Sequence, residues 1–465
     1  MMSAVVVGGG ASGLVAAWRL AQLGRSVQVF EAADHFGGAV CPQLLGGKVI
    51  DAGAEAIGLA RSSGLELFSE LGLSDQVVYP RRADPRIATP EGLQELPPGV
   101  LGIPASTDDP LVAALLNDEE IQRARAERGV TITGEMSVDE VVGGRLGSGV
   151  VRKIVDPVLL GIHAAASDEL EFRTLFPGMD SLIEQEGSLV GAAAKMRGGL
   201  GPSGSAVASL RGGMNQLTAR LVDACVEAGV KLNVNSRVSG LERLKSCWRI
   251  NVDMAGELHA ETVVLAVPPR VAATLLTTSA PHLAEQVSTL QTTTVKVVHL
   301  LVHSPELDLQ PTGPGLLVRQ DRMDVATKAL THSNAKWAWW KDLLSTHEHV
   351  LRLSFGKANQ LADDVTDELT HDELLSQAEE DARKLLGVRK RFDIRASAVT
   401  AWPESLAFAA PGHSRKVAHV AAGVQEIPGI SLLSSSLAGN GLAGVVAFAQ
   451  AEVSRLTTIQ QGEAS

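Results

Sequence analysis

The stretch Ala4-Val5-Val6-Val7-Gly8-Gly9-Gly10-Ala11-Ser12-Gly13-Leu14 decides the reading of this chain. A short β-branched run enters a glycine-rich turn, and an amphipathic stretch from Leu14 to Leu23 leaves it. After a turn at Gly24-Arg25 comes a second β-branched run, Ser26-Val27-Gln28-Val29-Phe30, closed by Glu31. Strand, glycine turn, helix, strand and acid, in that order, form the dinucleotide-binding fingerprint. Gly8 lets the chain turn sharply, Gly10 leaves no side chain between a pyrophosphate and the backbone, and Gly13 lets the helix approach the sheet. The helix N-terminus, from Ala11 and Ser12 onward, offers free N–H groups and a partial positive charge to phosphate. A carboxylate at Glu31 accepts from a ribose hydroxyl and repels a 2′-phosphate, which argues against NADP.

Working outward, 465 residues, 45% of them hydrophobic and 20% charged, suffice for two or three lobes. A net charge of −12 argues against a nucleic-acid partner. Cys41, Cys225 and Cys247 lie far apart and contain no CxxC, which suits a reducing compartment and supplies no metal site. The chain starts directly on its first strand and holds no run of 18 apolar residues, so neither a cleavable signal nor a membrane span is expected. The expectation is a cytoplasmic protein, with peripheral membrane contact left open. His347-Glu348-His349, the one close histidine pair, reads as a solvated loop rather than a metal site.

The chain then departs from a plain nucleotide fold. Phe36-Gly37-Gly38-Ala39-Val40, a hairpin-like pair around Gly46-Gly47, and Asp51-Ala52-Gly53-Ala54-Glu55-Ala56 follow the first unit. Glycines here would let backbone pass close to a flat ligand, though ordinary hairpin turns read the same way. Helical patterns occupy 60–75, 108–128 and 136–165, and Thr174–Ser203 reads as a loop-rich connector. A helix from Leu210 to near Gly229, a strand at Val230–Val234 and a buried parallel strand at Glu261–Val267 return to the nucleotide domain. Residues 290–400 alternate strands with one strong helix, Thr370–Leu386. A last strand, Ile430–Leu433, leads through a glycine turn into an Ala/Val-rich helix ending near Leu456.

In this order GGGASG, GGAV, DAGAEA, LRGGMNQL, VVLAVPP and LAGNGLAG resemble the flavin amine oxidase superfamily. Gly102-Ile103-Pro104, Asp156-Pro157-Val158-Leu159-Leu160-Gly161-Ile162-His163-Ala164, Lys336-Trp337 and Pro411-Gly412-His413 are similar to its bacterial porphyrinogen oxidases. The resemblance spans nearly the whole chain. It implies an α/β fold: a discontinuous Rossmann-like FAD-binding domain of the amine-oxidase type, drawn from 1–58, 205–275 and 400–460. A helical lobe at 59–204 and an antiparallel-sheet substrate lobe at 276–399 would complete it. It implies FAD-dependent oxidation of coproporphyrinogen III to coproporphyrin III, six electrons passing to O2 as H2O2, with transient contact to other haem-pathway enzymes. Protoporphyrinogen IX, an amine or a carotenoid precursor are alternative substrates, and a flavin-binding protein without turnover is a third reading.

The resemblance also distributes roles. Gly8, Gly10, Ala11, Ser12 and Gly13 would hold pyrophosphate, with Glu31 and Ala32 at the ribose. Gly38 and Ala39 would lie along the ribityl chain, and Gly53, Ala54, Glu55 and Ala56 near the isoalloxazine. Val238 would meet adenine through its backbone, Ala266 and Trp402 would join the cradle, and Asn440, Gly441 and Leu442 would face the flavin pyrimidine. On the substrate side His163 could accept a pyrrole proton, and Arg145 and Lys336, with Arg152 and Lys153 as further candidates, could meet propionates. His413 reads as structural. The chain departs from the family pattern at Ala39, at His163 (usually Tyr), at Ala407-Phe408-Ala409 and at Asn440.

Overall fold

The valine run Val5–Val7 is buried throughout, because its strand is sandwiched between neighbours in a parallel sheet. That strand, β1 (Ser3–Val7), is followed by helix α1 (Ala11–Gln22), β2 (Ser26–Phe30), β3 (Lys231–Asn233), β4 (Thr262–Leu265) and β5 (Ile430–Leu432). The strands lie in the order β3-β2-β1-β4-β5, every pair parallel. One sheet thus collects segments from three distant parts of the chain. The computed structural model describes residues 3–81, 85–197, 206–309, 312–356 and 369–462.

Helix α1 buries Leu14, Val15, Ala16 and Ala17 completely. The C-terminal helix α2 (Leu442–Gly462) packs against it, with Val446 and Ala449 in the same core as Leu14. The two glycine-flanked helices, at opposite ends of the sequence, are therefore neighbours.

The second sheet has seven strands, in the order Asp393–Ala407, Thr292–His303, Glu348–Phe355, Ala329–His332, Gly315–Val318, Arg86–Thr89 and Gly92–Glu95. All its pairs are antiparallel except Gly315–Val318 with Arg86–Thr89. The hairpin 86–95 joins this sheet although the surrounding stretch was expected in the helical lobe. Residues 400–407 likewise extend a strand of this sheet. The helix His371–Leu386, capped by Thr370 and Glu373, covers it with Leu374, Ala378, Ala382 and Leu385.

Residues 110–197 are mainly helical and share one core around Leu159, Phe172 and Phe176. Within them the expected connector at 174–203 is instead two helices, Met179–Glu186 and Leu189–Arg197, with 198–203 outside the described residues. Glycines at 178 and 187 adopt left-handed conformations at their ends, so the glycines punctuate helices rather than replace them. In this lobe the backbone passes through two π-helical stretches, Asp139–Gly143 and Val151–Val155, before the helix Asp156–His163.

Candidate functional site

The glycine turn after β1 is shaped by close approach. A Cβ on Gly8 would sit 2.2 Å from the Ala266 carbonyl oxygen, and one on Gly13 would sit 2.0 Å from the Gly8 oxygen. Gly10 is the opposite case: nothing lies within 4 Å of where its Cβ would be. No side chain caps α1 and no acid occupies its first turn, so no side chain claims its terminal N–H groups. That combination is a cradle for an anion.

Glu31 organises the cradle's edge. Its carboxylate accepts from the N–H groups of Gly9 (2.7 Å) and Ala33 (2.8 Å). The turn leading to Val238 is tied to the same place, since Asn235 N–H donates to Ala33 and Ser236 N–H to Glu31. Gly37 N–H donates to Gly9 (2.9 Å), and a Cβ on Gly38 would lie 3.3 Å from Gly10 Cα. Ala32, Gly38 and Ala39 stand exposed along this edge.

The loop Ala52–Ala56 continues the line. Ala54 N–H donates to Ala39, Trp402 Nε1 donates to the Ala52 carbonyl (3.2 Å) and Arg352 Nη2 donates to the Gly53 carbonyl (3.0 Å). Gly53 is squeezed between the Ala39 oxygen and the Trp402 ring, where a Cβ would meet them at 2.4 and 3.1 Å. Ser63 donates to the Ala443 carbonyl, which brings the start of α2 to the same region. Of the predicted cradle residues, Gly8 to Gly13, Glu31, Ala32, Gly38, Ala39, Gly53 to Ala56, Val238, Ala266, Trp402 and Asn440 to Leu442 thus converge along one edge of the parallel sheet and the adjoining second sheet.

Behind the loop lies a charged network. Lys336 and Glu55 form a short, mostly buried ion pair. Burial alone would push the Glu55 carboxyl up, but Lys336 and Arg352 outweigh it and hold it below the ordinary range. Burial lowers the neighbouring His299 to about 3. Asp51 accepts from the N–H groups of Met214 and Asn215 and from the Asn215 amide, capping the helix Asn215–Glu227. Burial nevertheless pushes it up to about 6. A cavity of about 20 Å³ between Asp51, Glu55, His299 and Trp339 has room for one water. His299 Nδ1 and Trp339 Nε1, on its wall, lack protein partners. The motif Lys336-Trp337 was visible in the sequence, whereas Arg352 and His299 sit in unremarkable strand patterns that carried no signal.

The substrate-side expectations need correction. Arg145 is buried in the helical lobe, where it donates to Glu127 (2.6 Å) and to the Val130 carbonyl (3.2 Å). Both terminal nitrogens of its fork are engaged inside the lobe, which leaves neither free to reach a propionate. Lys153 is paired with Glu120 (2.7 Å), and Lys336 turns inward to Glu55. An open cavity of about 610 Å³ on the helical lobe is lined by Glu135, Asp139, Glu140 and Asp168, which would repel an anionic substrate. His349 is no solvated loop residue: it is buried on a strand, contacting His332 (3.0 Å) and Asp308 (3.2 Å). Among the described residues no group of three such side chains is arranged to hold a metal ion. His413 is buried and contacts the Ser436 carbonyl at 2.8 Å, a structural role as expected.

His163 ends the helix Asp156–His163, and Ala164 after it is left-handed at φ 57°. Asn440 Nδ2 lies 3.3 Å from His163 Nδ1. Burial lowers the imidazole to about 4, so at neutral pH it holds no spare charge and is a weak proton acceptor. That weakens its expected role as a base.

A parallel sheet with an open glycine turn, joined to an antiparallel sheet and a helical lobe, is the architecture of the flavoprotein oxidoreductase class. The model of the flavin-containing amine oxidoreductases matches residues 11–443, and the chain belongs to that family. It is 32% identical over 453 residues to the coproporphyrinogen III oxidase of Mycobacterium tuberculosis, covering 96% of this chain and 95% of that one. The coproporphyrinogen III oxidase of Mycobacterium leprae is also 32% identical, over 470 residues, with 97% and 98% covered. A crystal structure from Exiguobacterium sp. 255-15, provisionally described as a protoporphyrinogen oxidase, superimposes with a TM-score of 0.82 at 24% identity, covering 98% of both chains. Among the described residues no helix is long and apolar enough to cross a membrane.

Proposed function

We propose that this protein is an FAD-dependent coproporphyrinogen III oxidase that works in the cytoplasm and uses O2. The observation that carries the reading is the convergence of the two glycine-flanked helices and the 51–56 loop on one cradle, in a chain whose full-length relatives bear that activity's name. Three unpaired cysteines suit a reducing compartment.

In this reading the turn at Gly8 to Gly13 holds the pyrophosphate and Glu31 the ribose, with Val238 at the adenine. Gly38, Ala39 and the 53–56 loop line the remaining length of the FAD, and Ala266, Trp402 and the turn at Asn440 to Leu442 complete its enclosure. The open space at Gly10 is what a bound phosphate requires. The proposed FAD-binding domain comprises 1–58, 205–275 and 400–460, its stretch 400–407 being shared with the seven-stranded sheet, and the rest is divided between a helical lobe and that sheet.

Bound FAD supplies two-electron redox chemistry. The overall change removes six electrons and six hydrogens in three rounds, reducing three O2 to three H2O2. The protein's share is positioning and exclusion of water. Arg352, Trp402 and the Ala39 backbone fix the 52–54 loop, and the Glu55–Lys336 pair tethers its end.

The test is direct. The FAD-loaded protein is supplied with coproporphyrinogen III or protoporphyrinogen IX while porphyrin fluorescence and O2 uptake are followed. Faster turnover of the first, with one O2 consumed per two electrons, is the expected result. A yellow protein that oxidises neither porphyrinogen but is reduced by an amine would overturn the reading.

A further inference from the structure

Three distant segments meet at one amide. Asn440, in the glycine turn before α2, accepts from Ala407 N–H through Oδ1 (2.7 Å) and donates to the Ala407 carbonyl through Nδ2 (2.8 Å). Both partners are backbone groups, one only a donor and the other only an acceptor, so the orientation of the amide is fixed. The second Nδ2 proton then points at His163 Nδ1, 3.3 Å away. An amide N–H cannot face a ring N–H, so Nδ1 must present its lone pair. A neutral imidazole carries one proton, which is left on Nε2.

We infer that Asn440 fixes His163 as a neutral imidazole protonated on Nε2, making it a hydrogen-bond donor to a carboxylate of the bound ligand. The ligand class rests on the function proposed above. All four nitrogens of a porphyrinogen are N–H donors, so the acceptors it offers a donor are its propionates. Among the described residues no protein group accepts from Nε2, and the side chain is only partly enclosed. His163 also lies beside the proposed flavin enclosure, because Ala164 packs against Val295 and Val297 together with Trp402. Two features favour the neutral ring. The Asn440 donor occupies the position a second proton would need, and burial already disfavours charge there. Asn440 is thus a positioning residue and His163 a ligand-contacting one.

The tautomer can be read without any substrate. In the FAD-loaded protein labelled with ¹⁵N-histidine, two-bond ¹H–¹⁵N correlations at pH 7 separate the two neutral forms. The His163 pattern is identified by its absence in His163→Gln. A proton on Nε2 with bare Nδ1 is expected, and a proton on Nδ1 overturns the inference. In Asn440→Asp the carboxylate would accept from Nδ1–H, so the pattern should invert or become imidazolium; an unchanged pattern overturns the role of Asn440.

The ligand arm uses steady-state kinetics with coproporphyrinogen III. His163→Phe should raise KM about tenfold with kcat within about twofold, and His163→Gln, which keeps a donor, should bring KM back to within about threefold of wild type. An unchanged KM in His163→Phe overturns the donor role. Wild-type protein inert toward both porphyrinogens would sink the functional proposal, while the tautomer spectrum would still decide the part played by Asn440.

Discussion

The cofactor cradle and the charged layer behind it are built in contrasting ways. The cradle consists of backbone: glycines at contact distance, a helix terminus without a cap, and carbonyls pinned by N–H groups. The layer behind it consists of side chains (Asp51, Glu55, His299, Lys336 and Arg352) brought from three segments into a nearly dry interior. Backbone geometry is set by local sequence and tolerates change in its surroundings. A buried side-chain network depends on every member, because each removed partner strands a charge. The two regions should therefore fail differently.

The largest effect is expected in the charged layer. Lys336→Met leaves the Glu55 carboxylate buried against Arg352 alone. It should destabilise the protein by about 3 kcal/mol in urea unfolding. The double variant Glu55→Gln/Lys336→Met should recover about half of that loss, since the buried carboxylate is gone while Arg352 keeps only the Gly53 carbonyl. If the single variant costs nothing, the pair is a surface-like bridge and the contrast fails.

Asp51 sharpens the same point through pH. Its carboxyl is raised from 3.8 to about 6, so between these values the native state binds more protons than the unfolded state. Stability from this group is therefore greatest below about pH 4 and declines as pH rises to about 6, by on the order of 3 kcal/mol. The difference in unfolding free energy between wild type and Asp51→Asn should follow that slope and flatten above pH 7. A flat difference throughout would show that the hydrogen bonds from Met214 and Asn215 compensate burial fully.

The cradle should fail by losing its ligand. Gly13→Ala forces a methyl to within 2.0 Å of the Gly8 carbonyl and must push α1 off the sheet. About 2 kcal/mol of stability and most of the flavin should be lost. Gly10→Ala meets no protein atom within 4 Å, so the apoprotein should melt within about 2 °C of wild type. Its FAD affinity, read by flavin fluorescence, should nonetheless fall about tenfold, a loss of about 1.4 kcal/mol. Equal FAD binding in Gly10→Ala would remove the pyrophosphate from this turn.

This contrast explains what the sequence disclosed. The β1–α1–β2 unit, the parallel strands 262–265 and 430–432 and the capped helix 371–386 were legible, because period, caps and glycine spacing are local signals. The connector at 174–203 was misread because helix-ending glycines resemble loop glycines. Arg145 was misread because a charged side chain does not announce that its partner, Glu127, lies 18 residues upstream in the fold's interior. His163, Asn440 and Ala407, each a departure from the family pattern, belong to segments up to 277 residues apart, and no local signal joins them.

The smallest expected effect probes the junction itself. Ala164 adopts φ 57° directly after His163, a conformation that costs an L-residue about 1–2 kcal/mol and glycine almost nothing. Ala164→Gly relieves that strain, but the unfolded chain gains about 0.5–1 kcal/mol of backbone freedom. It also deletes a fully buried methyl packed on Val295 and Val297, worth about 0.8 kcal/mol. These opposing contributions nearly cancel, so the unfolding free energy should change by less than about 0.5 kcal/mol. A gain beyond about 1 kcal/mol would mean that the turn is held under strain by the surrounding lobes. In that case the position of His163 would be imposed by the packing of Ala164 as well as by Asn440.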